Sequence, residues 1–342
     1  MTPPTGHAAL VEALLASPEP SIRWKARVRV LDEAPDSAEV VALREEIRRS
    51  ARVASLLAPF SAAERPAAYA KWQGAHWVLA ALADLGHPPG DPALHPLRDQ
   101  VLDAWLAPSY YQEFEPTSKA ASYSRAGVPV IRGRHRSHGS QHGSALLSLV
   151  ALDLDDGRGA DLVERLLHWQ WPDGGWNCDR DAAADTSSFC ETLLPARGLA
   201  AYAARNAAAP AAPAAAAAAR RAAEVFLVRR LAYRVSTGEL IHREFTRLHY
   251  PLYWHYDVLG GLKGMADVGV LDDPRCADAL DLLESLRVAD GWPATARYYT
   301  VSSALGRHHD SVDWGGTSVR RANPWVTADA LAVLRAAGRL SL

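Results

Sequence analysis

Cysteine is scarce. The 342 residues include only Cys178, Cys190 and Cys276, too few for a disulfide framework, so the chain reads as one for a reducing compartment. Charge of one sign is lacking as well. The 37 basic and 39 acidic side chains leave a formal net charge of −2, and no bulk positive field argues for nucleic acid as a partner. No stretch approaches the roughly 18 uninterrupted apolar residues of a membrane-spanning helix. The first residues, Met1 to His7, show no basic flank followed by an apolar core, so no signal peptide is expected and the expected location is cytoplasmic. Runs of alternating apolar and polar residues, the mark of strands, are missing too.

What is present is helical. Nearly half the residues are apolar, 49%, and the heavy use of alanine favours helices. Segments apolar on nearly every side begin near Arg23, Ala67, Gln141, Thr186, Tyr253 and Trp325. Five amphipathic segments lie between them. A helix apolar all round is buried and a striped one covers it, so the repeat predicts an all-α domain of about six helical hairpins in inner and outer layers. The sixth inner segment, 325–337, lacks an amphipathic partner after it. The short helix expected over 6–16, with apolar Ala9, Leu10, Leu14 and Leu15, is expected to close on it and so make residues 1–342 one domain. Between these helices runs a polar stretch, 108–139, without helical period; a loop of that length is more often functional than idle.

One corner carries the most specific pattern. An apolar helical run, 161–169, leads into Gln170-Trp-Pro-Asp-Gly-Gly-Trp-Asn-Cys-Asp179, whose Pro-Asp-Gly-Gly stops the helix and turns the chain. The spacing Gln170-x-x-x-Gly174-x-Trp176 resembles the QW motif of squalene and other triterpene cyclases. Residues 287–292 end in a similar Gly291-Trp292 corner with one glycine and the glutamine missing. The resemblance implies the α/α toroid shared by terpenoid cyclases and protein prenyltransferases, with an isoprenoid or similar apolar substrate in a central cavity. Asp153-Leu-Asp-Asp156 matches the Asp-x-Asp-Asp signature of class II terpene cyclases. Its first aspartate falls just past an apolar helix, as in Asp84-Leu-Gly and Asp267-Val-Gly, so it reads as a solvated turn.

Metal-binding residue types precede several inner segments. His138 precedes the third, Cys178 the fourth, and His255 lies at the start of the fifth. Thiolate with imidazole suits Zn²⁺, and prenyltransferases of the resembled superfamily hold zinc through Asp, Cys and His from consecutive hairpins. The resemblance therefore implies zinc as a candidate cofactor on His138, Cys178 and His255. It further implies Arg134 and Arg136 as holders of a diphosphate leaving group, and Trp77, His142, Tyr253 and Trp314 as substrate-binding residues. Asp257, Asp313 and Glu191 are the candidates for acid–base chemistry, since burial in an apolar cavity raises a carboxyl pKa. Two alternatives stay open: a zinc-dependent lyase or hydrolase on the same scaffold, and a non-catalytic module that holds an apolar ligand or a peptide.

Overall fold

The computed structural model describes residues 6–62 and 65–341. Helix makes up 51% of it, in fourteen α-helices among the described residues. Strand is confined to short pieces, so the protein is all-α in class. The polar stretch after residue 108 holds most of them. There β1 (Glu113–Phe114) pairs in parallel with β2 (Val128–Ile131), which pairs antiparallel with β3 (Arg134–His135).

The apolar segments form a chain of neighbours. They are α2 (Pro20–Trp24) with its π-helical continuation Lys25–Val30, α5 (Ala75–Leu85), α8 (Gly139–Ala151), α10 (Phe189–Arg205), α12 (Val258–Val268) and α14 (Pro324–Ala336). Helix α8 packs on α5 and α10, α10 on α12, and α12 on α14; α14 packs on segment 25–30, and α2 on α5. The striped helices cover them: α3 (Ala38–Arg48) lies on α2, and α6 (His95–Trp105) on α5 and α8. Likewise α9 (Gly159–Trp169) lies on α8, α11 (Ala212–Leu227) on α10 and α13 (Ala277–Ser285) on α12. Helix α1 (His7–Leu15) touches α14 and segment 25–30 and buries Leu10, Val11 and Leu14. The α8–α10 contact is very close because glycine forms it. A Cβ on Gly143 would stand 2.2 Å from the Pro195 nitrogen, and one on Gly198 would stand 2.5 Å from the Gly143 carbonyl.

Helix ends left without hydrogen-bond partners explain the two tryptophan corners. Trp176 Nε1 donates to the Leu166 carbonyl in the last turn of α9, at 3.1 Å, and Trp292 Nε1 donates to the Leu283 carbonyl of α13 at 2.7 Å. Each indole residue is fixed at its own backbone N–H by a threonine hydroxyl of the next inner helix, Thr192 for Trp176 and Thr327 for Trp292. The second corner is one residue shorter, in line with its missing glycine. In the first, Gln170 Nε2 donates to the Gly174 carbonyl at 2.6 Å and to the Ala218 carbonyl of α11 at 2.9 Å. Gly174 has φ +101°, and a Cβ there would meet the Arg221 carbonyl at 2.2 Å, so only glycine fits the turn.

Three boundaries differ from the sequence reading, two of them through a cap. The first amphipathic segment, expected as one helix over 38–57, is two helices, because the Ser50 hydroxyl accepts from Val53 N and starts α4 (Ala51–Leu57). Helix α5 starts only at Ala75: residues 68–73 are mostly turns, with Trp72 at φ +69°. Helix α12 starts at Val258 rather than Tyr253, because Asp257 caps it by accepting from Gly260 N at 2.7 Å.

Candidate functional site

Three donor side chains meet where α8 and α10 begin. His138 precedes α8, Cys178 leaves the Gln170–Trp176 corner, and Glu191 stands in the first turn of α10. Their ligating atoms all lie within 4.8 Å of one another. Glu191 Oε1 lies 3.3 Å from His138 Nδ1, and Oε2 accepts from Ser140 N at 3.0 Å. Burial would raise the Glu191 pKa, but His138 and Ser140 outweigh it and hold the carboxyl below its usual range. Burial, then the Glu191 carboxylate, pushes the Cys178 thiol up. Burial, with Glu191 and Cys178 close by, also pushes the Tyr69 phenol up to about 12, so it stays protonated beside the trio. His138 is half exposed, which leaves the group open to solvent on one side.

His255 does not join this group. Its ring is stacked on Tyr298, centroids 3.6 Å apart, and on Trp254 at 4.2 Å, and burial lowers its pKa to about 3. The aromatic neighbours of the 249–257 segment take it as a packing partner. Glu191, expected as an acid–base group, is the third potential ligand beside His138 and Cys178.

A separate cavity of about 130 Å³ lies among α5, α8, α10, α12 and α14. Trp77, Tyr253, Trp314 and Asp257 line it; His138, Cys178 and Glu191 do not. Its polar wall is an ion network that the sequence reading did not single out. Lys25 Nζ lies 2.7 Å from Asp84 Oδ2 and 2.9 Å from Asp329 Oδ1, and Lys263 bonds the other oxygen of Asp329. Tyr250 OH donates to Asp84 at 2.6 Å. Asp84 is therefore an ion-network residue and not the solvated turn expected of it. Asp267 likewise pairs with Arg197 at 2.6 Å. The signal available in sequence was a charge on a helix apolar all round, since buried charges are paired.

Asp257 is fully engaged. One oxygen caps α12 and the other accepts from His249 N at 3.0 Å and lies 2.8 Å from His249 Nδ1, with both side chains 1% exposed. Tyr253 stacks on Trp72 at 3.7 Å and donates to Asp310, as does Trp314 Nε1 at 2.8 Å, so Asp310 fixes two residues of the cavity wall. Burial raises the Asp310 pKa. Asp313, by contrast, is exposed and its carboxylate accepts from Gly315 N in a surface turn.

The remaining expected residues lie outside the lining of that cavity. His142 is sealed against Trp169 and Trp105, ring centroids 5.1 and 6.3 Å away, and burial lowers its pKa to about 4. It faces the outer helices because its turn of α8 points there. Arg136 is buried over the Trp171 ring and donates to the Ala184 carbonyl at 2.8 Å, and Arg134 lies over the same ring. Both guanidinium groups lie over one indole, while Arg134 Nε and Arg136 Nε and Nη2 are buried without a hydrogen-bond partner among the described residues. In the Asp153–Asp156 turn, Asp153 has φ +51°, Asp155 Oδ1 accepts from Gly157 N and Gly159 N, and Asp156 binds Arg158. These contacts start α9. Comparison of the chain with protein-family models, curated proteins and solved structures returns no match.

Proposed function

We propose that this chain is a single α/α toroid of the terpenoid cyclase and prenyltransferase kind, and that it is a zinc-dependent enzyme with its centre at His138, Cys178 and Glu191. The toroid is supported by the circuit of inner neighbours, α2 to α5, α8, α10, α12, α14 and back through segment 25–30. The enzyme reading rests on one observation, the convergence of the three donor atoms within 4.8 Å. Imidazole, thiol and carboxylate are the usual ligands of zinc, and three of them are the number found in catalytic sites. When bound, zinc with an open position supplies Lewis acidity and an activated nucleophile at neutral pH.

The protein's own groups prepare that place. Ser140 N orients Glu191, and Glu191 orients His138. Burial, with Glu191 and Cys178, keeps the Tyr69 phenol protonated. Hydrolysis or elimination suits this arrangement better than acid-initiated cyclisation. Asp153 to Asp156 start a helix, Asp313 is on the surface, and Asp257 has both oxygens engaged.

A second reading, transfer or cyclisation of an isoprenoid, is favoured by the aromatic wall of Trp77, Tyr253 and Trp314, whose π faces suit a carbocation. The cavity's small volume and its lining by Lys263, Asp84 and Asp329 weigh against it. Metal analysis with native mass spectrometry tests the first reading, which expects one zinc equivalent fewer in Cys178→Ser than in the wild type. A farnesyl diphosphate titration tests the second. Tight binding to zinc-free protein would displace the first reading in favour of the second.

A further inference from the structure

We propose that Glu113, His135 and His168 form a second metal site, for a borderline divalent ion such as Zn²⁺ or Ni²⁺, which clips the 108–137 segment to α9. The three residues come from three elements: Glu113 from β1, His135 from β3 and His168 from the last turn of α9. Their ligating atoms lie within 4.8 Å of one another. His168 Nε2 is 2.7 Å from Glu113 Oε1, and His135 Nε2 is 3.3 Å from Oε2, so each imidazole presents a nitrogen to a different oxygen of one carboxylate. The rings themselves stand 4.8 Å apart. Two imidazoles and a carboxylate are a donor set for Zn²⁺, Ni²⁺ or Cu²⁺, not for Mg²⁺ or Ca²⁺.

The carboxylate is held from behind. Trp169 Nε1 donates to Glu113 Oε1 at 3.2 Å, the kind of outer hydrogen bond that orients a ligand. Exposed histidine–carboxylate pairs by themselves contribute little, so two of them are weak reason for β1 and β3 to lie on α9. An ion on all three is a strong one. The clip has a consequence for the rim. The His135 carbonyl accepts from Trp171 Nε1 at 2.8 Å, and His138 follows three residues later. Fixing His135 thus fixes the start of the strand-to-helix passage that carries His138. The two sites share no ligand, and this one does not depend on the zinc reading of the rim.

The experiment uses the full chain with Cys178→Ser, stripped with chelator and titrated with Co²⁺. One equivalent is expected, seen as visible d–d absorption without thiolate charge transfer. Adding His168→Ala or Glu113→Gln should remove it. Trypsin supplies a second readout, because exposed Lys119 and Arg125 lie between β1 and β2. Zn²⁺ should slow cleavage there in the wild type and not in His168→Ala. No Co²⁺ uptake by the Cys178→Ser chain, or uptake that survives both further substitutions, overturns the site.

Discussion

Lys25 and Asp329, 304 residues apart in sequence, form an ion pair 2.9 Å long in the interior of the helical assembly. The pair is part of a four-membered network in which each of Asp84 and Asp329 faces both Lys25 and Lys263. It ties segment 25–30, α5, α12 and α14 together. Breaking a buried pair by removing one partner costs about 3–5 kcal/mol, because the other charge is left behind. Lys25→Met is therefore expected to lower the thermal midpoint by about 10 °C. A midpoint within a degree of wild type, read by circular dichroism, would mean that the network carries no stability.

Acid should act through the same network. Burial alone would raise the Asp84 pKa, but Lys25 and Lys263, with hydrogen bonds from Lys25 and Tyr250, outweigh it and hold it far below its ordinary value. A carboxyl with a depressed folded pKa gives stability that is present above its unfolded value, about 3.9, and lost as pH falls through the folded one. Wild-type stability to urea should therefore fall as pH drops below about 4, and Asp84→Asn should show a shallower decline over that range. Parallel declines in the two proteins would remove Asp84 from the acid response.

The parts of this molecule legible in sequence are those set by local chemistry. The Trp176 corner is written in contiguous residues, and the indole finds its carbonyl ten residues back in α9; the alternation of buried and striped helices follows from composition along each segment. Helix starts were less legible, because a single cap such as Ser50 or Asp257 moves them. In the site, His138 and Cys178 could be singled out by residue type. Glu191 and His255 exchanged places because the facing of a side chain depends on how hairpins sit beside one another. The ion network was hidden for the same reason: nothing near Lys25 in sequence points to Asp329.

Metal uptake at the rim should depend on pH with a definite sign. The Cys178 thiol, pushed up by burial and Glu191, is protonated in the metal-free protein at neutral pH. Zinc bound to that sulfur, as proposed, would displace the proton. The apparent affinity of the rim is then expected to rise about tenfold per pH unit between about pH 6.5 and 8, and this pH-dependent uptake to be lost in Cys178→Ser. A wild-type affinity flat across that range, measured by competition with a chelating dye, would exclude thiolate ligation.

Asp155 offers the test that separates turn from catalyst. Its Oδ1 accepts from Gly157 N at 3.0 Å and Gly159 N at 2.9 Å. Asparagine keeps an acceptor oxygen at that position, so Asp155→Asn should leave any activity of the chain near wild type. Asp155→Ala should cost about 1 kcal/mol through the lost hydrogen bonds to Gly157 N and Gly159 N. A loss of several orders of magnitude in the asparagine variant, with an unchanged melt, would restore the class II cyclase signature.

Helix α1 supplies the last test, of how the first and last inner segments are covered. Its Leu10, Val11 and Leu14 are buried, and the helix lies on α14 and on segment 25–30. The contact is reinforced at the first residue of α1, where His7 stacks on Trp292 at 6.5 Å and its Nδ1 accepts from Ser341 N at 3.4 Å. Burying three aliphatic side chains is worth about 5 kcal/mol when the area is taken as lost from water, and the true figure is smaller because the unfolded chain already buries some of it. Deleting residues 1–17 should then lower the thermal midpoint by several degrees and expose an apolar strip on α14 that binds a hydrophobic dye. Leu14→Ala, which keeps the helix and its ends, should lower it by a smaller amount, in line with about 2–3 kcal/mol for a leucine truncated in a core. If both proteins melt like the wild type, α1 is not the cover of α14 in solution.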